Sequence, residues 1–110
     1  MNLEKWQSQI RKGTLEFIIL LVLKENEFYG YELIKKIKMS LNMETSEGTI
    51  YPILTRLKKA EQLTTRWEHQ ESGMPRKYYQ ITEKGLETLE KMKKEWLQFA
   101  GSIQSLMGEK

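Results

Sequence analysis

The sequence predicts a mainly α protein with one two-stranded β-hairpin, an α+β class closed by a long C-terminal helix. Three observations carry this. Ser46 to Lys59 places Ile50, Ile53, Leu54 and Leu57 on one side of a helix, the i, i+3, i+4, i+7 pattern of a buried stripe. Beyond Leu63 the pattern turns from helical to extended, with β-branched and aromatic residues on both sides of a Gly and Pro tip. From Leu89 onward apolar residues recur at alternating intervals of three and four, the spacing of a heptad seam.

Composition narrows the function classes. There is no Cys, which excludes disulfides, thiolate metal sites and a Cys nucleophile, and the single His69 cannot build a multi-histidine centre. No phosphate loop and no Ser, His and Asp arrangement is visible, so neither a catalytic residue nor a bound metal or cofactor is expected, and the chain does not read as an enzyme. A net charge of +3 leans mildly toward a polyanionic partner. The longest apolar run, Phe17 to Leu23, is far short of the roughly 20 residues of a membrane span. The N-terminus lacks the apolar stretch and small-residue cleavage site of a signal peptide, so a cytoplasmic location is expected.

In chain order, residues 1–12 carry Leu3, Trp6 and Ile10 at helical spacing and read as a short amphipathic helix or an N-terminal arm. Thr14 to Lys24 is apolar almost all round, a helix buried on more than one side, part of whose surface is expected to meet a second chain. Tyr29 to Lys38 then turns Leu33, Ile34 and Ile37 inward, with Leu41 a turn further on, and Lys35, Lys36 and Lys38 outward. Asn42 to Thr45 is a short polar connection, and Ser46 is a good N-cap for the next helix.

That next helix organises the rest. Opposite its stripe lie Gly48, Tyr51, Pro52, Thr55 and Lys59, flanked by Thr49 and Arg56. A helix entering the major groove needs a small tip, short polar or methyl-bearing side chains for base edges, and cations for phosphate. This face fits, although a solvated amphipathic helix has a similar pattern. Pro52 removes a backbone donor, at roughly 3 kcal/mol if uncompensated, and its ring would press on the carbonyl of Gly48, where a missing side chain leaves space.

Two helices joined by a short turn form a helix-turn-helix, and a hairpin directly behind one is the wing of a winged helix. Here the strands are Thr64 to Gln70 and Arg76 to Thr82 around the turn Glu71 to Pro75, with Arg76 and Lys77 beside the tip. A basic wing can lie along a neighbouring backbone. Thr82 can cap the last helix, whose apolar positions are Leu86, Leu89, Met92, Trp96, Phe99, Ile103 and Leu106. About 26 residues extend roughly 39 Å, longer than the small domain can cover, so Leu89, Met92, Trp96, Phe99, Ile103 and Leu106 are expected to form a dimer seam. The division is 1–12 arm or short helix, 13–82 winged helix-turn-helix domain, and 83–110 dimerisation helix.

The run GTIYPILTRLKKAEQL, followed by TRWEHQESGMPRKYYQIT and EKG, resembles the PadR family of bacterial transcriptional regulators, in which Gly-Thr-x-Tyr-Pro opens the recognition helix and an Arg-Lys-Tyr-Tyr strand completes the wing. FYGYELIKKI is similar to the same family's second helix, and the likeness extends from about Gly13 to Trp96. Gln62, before Leu63, departs from the pattern, which has Gly where the helix ends. The single C-terminal helix is similar to the compact, homodimeric branch.

The resemblance implies a homodimer that binds an inverted-repeat operator in double-stranded DNA and usually represses a nearby gene. Candidate DNA contacts are Ser46, Gly48, Thr49, Tyr51, Pro52, Thr55, Arg56, Lys59, Arg76 and Lys77. Tyr51 is expected to offer its hydroxyl to a phosphate or base edge, Pro52 and Thr55 carbon surface to a thymine methyl, and Arg56 and Lys59 charge to phosphate. Trp96 is similar in placement to a Trp of a multidrug-responsive relative, where paired indoles sandwich flat aromatic ligands. Phe17, Trp96, Phe99 and Ala100 are therefore candidate walls for a small planar aromatic effector, the alternative being that Trp96 only fills the dimer core. A winged helix used only for protein–protein contacts is the competing reading, kept open by Glu47, Glu68 and Glu71, which dilute the positive field.

Overall fold

The computed structural model describes residues 1–108 as four helices and a small sheet. The N-terminal half of the chain is α1 (Leu3–Glu25), β1 (Phe28–Tyr29) and α2 (Gly30–Leu41). Then come α3 (Glu47–Lys59), β2 (Leu63–Glu68), β3 (Arg76–Ile81) and α4 (Glu83–Leu106). The two N-terminal segments read from the sequence are one helix. Asn2 caps it, accepting from the Lys5 N–H at 3.2 Å, and α1 runs unbroken through Gly13, which faces open space. A single Gly costs a helix only about 1 kcal/mol, too little to end one that buries Leu15, Ile19, Leu20 and Leu23 just beyond it.

The hairpin forms as its alternation suggested, with Leu63 opposite Ile81 and Glu68 opposite Arg76. A third strand, the two-residue β1, pairs antiparallel on the far edge of β3, giving the order β1-β3-β2. Two residues are too few to show a period, so the sequence carried no sign of it.

The core gathers the inward faces of α1, α2 and α3 with Leu63, Tyr79 and Leu89. Ile50, Ile53, Leu54 and Leu57 are all buried, as the stripe required. Leu41, read as inward, is exposed: α2 ends there, Asn42 takes the left-handed conformation at φ 48°, and Met43 turns into the core in its place. Asn is one of the few residues that adopts that conformation readily.

The end of α3 follows a similar plan. The Gln62 N–H reaches back to the Leu57 carbonyl at 2.9 Å and the Glu61 N–H to the Lys58 carbonyl at 3.0 Å, a Schellman closure. The left-handed residue is Glu61, at φ 62°, one position before the Gln62 that departs from the family pattern. Gln62 instead offers its carbonyl to the Thr82 backbone N–H at 3.1 Å, while the Thr82 hydroxyl donates to the Glu61 carbonyl at 2.7 Å. The same hydroxyl accepts from the Gly85 N–H at 3.0 Å and so caps α4. A side chain at Gly85 would sit 2.2 Å from the Gln62 carbonyl oxygen, which explains the Gly of the EKG segment: it lets α4 start in contact with the end of α3.

Candidate nucleic-acid interface

The outward face of α3 presents Gly48, Pro52, Thr55 and Lys59, all exposed, in line along the helix. Pro52 sits inside a helix that remains continuous from Glu47 to Lys59. The Thr55 hydroxyl donates to the Tyr51 carbonyl at 3.0 Å, which leaves its methyl and oxygen lone pairs on the exposed side. At the tip Ser46 occupies the N-cap position, but its hydroxyl meets the Thr49 hydroxyl at 3.2 Å rather than a first-turn N–H. Glu47 in the first turn sets a carboxylate against the partial positive charge of the helix start.

Two side chains read as groove contacts stay exposed and also make contacts within the fold. The Tyr51 ring crosses to the start of α2, and its hydroxyl lies where a Cβ on Gly30 would be, 2.0 Å from that position. Burial pushes the Tyr51 phenol up, with the Glu47 charge adding to the effect, and burial does the same to Tyr79 beside it, where Tyr51 adds to it. Tyr51 thus packs α3 against the start of α2 while about 36% of it stays exposed. Arg56 leans toward α1 and pairs with Glu16, its Nε donating to Oε1 at 3.0 Å. No periodicity could have paired positions 40 residues apart.

The wing splits its two cations. Neighbours on a strand point to opposite faces. The Lys77 ammonium lies 5.8 Å from the Trp67 ring centre and 5.7 Å from that of Tyr79, on the face turned to α3. Arg76 instead covers Tyr29 of β1 at 4.5 Å. Tyr29 stands edge-on to Tyr78, which carries Arg66 at 4.5 Å. Arg66 is in turn held by Glu27, with Nε 3.1 and 3.0 Å from the two carboxylate oxygens. The Arg66 hydrogen bonds, with its charge and a Gln80 amide, hold the Glu27 carboxyl below the usual carboxylate range. This chain of rings and cations fixes the wing against β1. Sequence reading missed Tyr29, Arg66 and Glu27 because the strand that aligns them is too short to see. Lys58 was also missed; it lies on the wing side of α3. His69, beyond the end of β2, is exposed.

Away from this face, α1 and α4 border an open cleft of about 460 Å³ lined by Gly13, Thr14, Phe17, Thr88, Lys91, Met92, Glu95, Trp96 and Phe99. Phe17 and Trp96 form one wall, with ring centres 6.0 Å apart and planes tilted by 43°. Ala100 is not in the lining. The apolar row of α4 divides in two. Leu89 is fully buried in the core of its own chain, which leaves it no surface for a second chain, and Met92 packs beside it. Trp96, Phe99, Ile103 and Leu106 are exposed, as are Leu3, Trp6 and Ile10 of α1.

The sequence matches the transcriptional regulator PadR-like family over residues 19–91. A protein of Lysinibacillus sphaericus described as uncharacterised is 34% identical over 103 residues, 92% of this chain and 94% of that one. Among solved structures, a PadR-like transcriptional regulator from Bacillus cereus is 38% identical and superposes with a TM-score of 0.82 over 93% of this chain and 99% of that one. A PadR family transcriptional regulator from Eggerthella lenta is 30% identical, with a TM-score of 0.85 over 96% of this chain and 91% of the other. With the winged helix and this extent of similarity, the chain belongs to the PadR-like family of transcriptional regulators, DNA-binding proteins rather than enzymes.

Proposed function

We propose that the protein is a repressor that binds an inverted-repeat operator as a homodimer and is released by a small planar aromatic ligand. The observation that carries the DNA reading is the row Gly48, Pro52, Thr55 and Lys59, exposed along one helix whose other side is wholly core, with a cationic wing alongside. Gly48 and Ser46 give the tip close approach, Thr49, Pro52 and Thr55 meet base edges and thymine methyls, and Lys59, Arg76 and Lys77 fix the register on phosphate. Tyr51 serves by holding α3 against α2. Arg56 joins the phosphate contacts only when it leaves Glu16.

The homodimer reading rests on the exposed apolar row of α4 from Trp96 to Leu106, together with Leu3, Trp6 and Ile10 of α1. So much apolar surface along two helices calls for a covering partner, and a second copy supplies a matching surface by symmetry. Two recognition helices would then stand about 34 Å apart, one turn of duplex. The effector reading rests on the cleft between α1 and α4, one wall of which is formed by Phe17 and Trp96, where a flat ring can lie against an aromatic face and bury apolar surface. A ligand wedged there alters the angle between the two C-terminal helices and shifts the population away from the spacing that fits DNA.

The test is selection of bound duplexes from a random pool. Enrichment of an inverted repeat with half-sites one turn apart supports the reading. A pool that stays random after several rounds at moderate salt refutes it. If Trp96→Ala binds the selected duplex and responds to aromatic ligands as the parent does, the effector part fails.

A further inference from the structure

The cleft beside Phe17 and Trp96 does not end at Met92. Thr88 and Met92 also line a second hollow of about 280 Å³, which continues along the same side of α4 to Glu16, Arg56 and Gln62. Thr88 and Met92 are one helical turn apart, so the two hollows share a floor. Trp96 stands about two turns beyond Thr88, roughly 12 Å at the helical rise. The inner hollow holds an unmet hydrogen-bonding group. Among the described residues, Gln62 Oε1 is the buried side-chain oxygen without a hydrogen-bond partner. Its orientation is set by the other end of the amide, since Nε2 donates to the Ala60 carbonyl at 3.4 Å and exchanging the two atoms would turn oxygen toward oxygen. The carboxylate of Glu16, the other side-chain acceptor of this kind in the lining, is already taken by Arg56. Buried acceptors are nearly always paired, and an unpaired one weakens the fold. Gln62 is also the residue at which this chain departs from the family pattern, where a Gly would leave no such oxygen.

We infer that Gln62 determines specificity at the effector site, its Oε1 accepting from a hydroxyl or amino group at the inner end of an elongated planar aromatic ligand whose outer ring lies against Phe17 and Trp96. The inference rests on the effector reading and deepens it by naming the ligand class. The length follows from the roughly 12 Å of helix between Trp96 and Thr88. The donor follows from the oxygen, which gains a hydrogen bond from an N–H or O–H and none from a halogen or a bare ring. Met92, half-buried between the two hollows, is unbranched and changes rotamer readily, so it is the adjustable part of the passage. The polar tip of the ligand then lies beside the Glu16–Arg56 pair that ties the recognition helix to α1.

The experiment uses the full chain and four rigid probes of one length: trans-4-hydroxystilbene, trans-4-aminostilbene, trans-4-fluorostilbene and trans-stilbene. Affinities are read from quenching of tryptophan fluorescence. One net hydrogen bond corresponds to about 2- to 12-fold in affinity, so the parent should bind the hydroxy and amino probes more tightly than the other two by that factor. Gln62→Met, which keeps the side chain's shape and removes the acceptor, should bind all four alike. Its unfolding midpoint without ligand should rise by a few degrees, because the unpaired acceptor is gone. Gln62→Gly is the second variant and should lose the preference in the same way. Equal binding of the four probes to the parent means that the oxygen meets ordered water only, and it overturns the role of Gln62 while leaving the effector reading intact. A donor preference that survives both substitutions does the same. No binding of any probe to the parent, or binding that is unchanged in Trp96→Ala, overturns both.

Discussion

Gly85→Ala puts the geometry of the α3–α4 junction to a sign test. By helix propensity alone the substitution should stabilise α4 by about 1 kcal/mol. The structure predicts the opposite, because the new methyl would stand 2.2 Å from the Gln62 carbonyl oxygen and 2.7 Å from Ile81 Cγ1. A side-chain tip could swing away, but a backbone carbonyl in a closed loop cannot move without its partners. Here it accepts from the Thr82 N–H at 3.1 Å, so that hydrogen bond is stretched as it shifts. Overpacking of this kind costs about 1–3 kcal/mol, and one weakened hydrogen bond adds about 0.5–1.5 kcal/mol. After subtracting the propensity gain, the net loss centres on about 2 kcal/mol. For a domain of this size that lowers the unfolding midpoint by about 8 °C. Calorimetry at a single protein concentration is the assay, because association would make the midpoint concentration-dependent. A midpoint equal to or above the parent's would refute the reasoning that Gly85 is required by close approach.

Three further outcomes follow from the site. Tyr51→Phe should keep operator affinity within about twofold, since the hydroxyl only packs on Gly30, whereas Tyr51→Ala should cost about 1–2 kcal/mol of stability and weaken binding; a large loss in the Phe variant, measured by anisotropy, would return the hydroxyl to a direct role on DNA. Glu16→Gln should free Arg56 and tighten DNA binding by up to about fivefold, the range of an exposed ion pair, and the gain should vanish in an Arg56→Ala background; a gain that persists there comes from net charge alone. For Glu27, the folded carboxyl titrates below its unfolded value because of Arg66. Its contribution is therefore present above the unfolded pKa, about 4.3 for an ordinary Glu, and lost as pH falls through the lower folded value. The midpoint difference between the parent and Glu27→Gln should be full at pH 7 and close as pH drops below about 4; a gap that stays constant with pH would show that the carboxylate charge is not its source.

What the sequence made legible was periodic. The stripe from Ile50 to Leu57, the alternation from Arg76 to Ile81 and the row from Trp96 to Leu106 each repeat often enough to declare an element and its face. What it hid were single events between distant positions. The Glu16–Arg56 pair, the Tyr51 ring on Gly30 and the stack from Arg76 through Tyr29 to Tyr78 depend on where elements meet. Leu89 shows the limit within one pattern: it keeps the heptad interval and yet belongs to the domain core, because α4 begins against Gln62 and runs its first two turns over its own chain. Lys58 was passed over for a similar reason, since on a helical wheel it sits next to the stripe and only the fold brings Lys77 to its side.

The central claim is that the face of α3 and the wing recognise a DNA sequence. Fluorescence anisotropy of the purified protein against labelled duplex from upstream of its own gene, with a scrambled duplex as control, at two salt concentrations, tests it most directly. Binding to the upstream duplex should be tighter by about a thousandfold or more and should weaken as salt rises. Absence of binding to either duplex at low salt would contradict it.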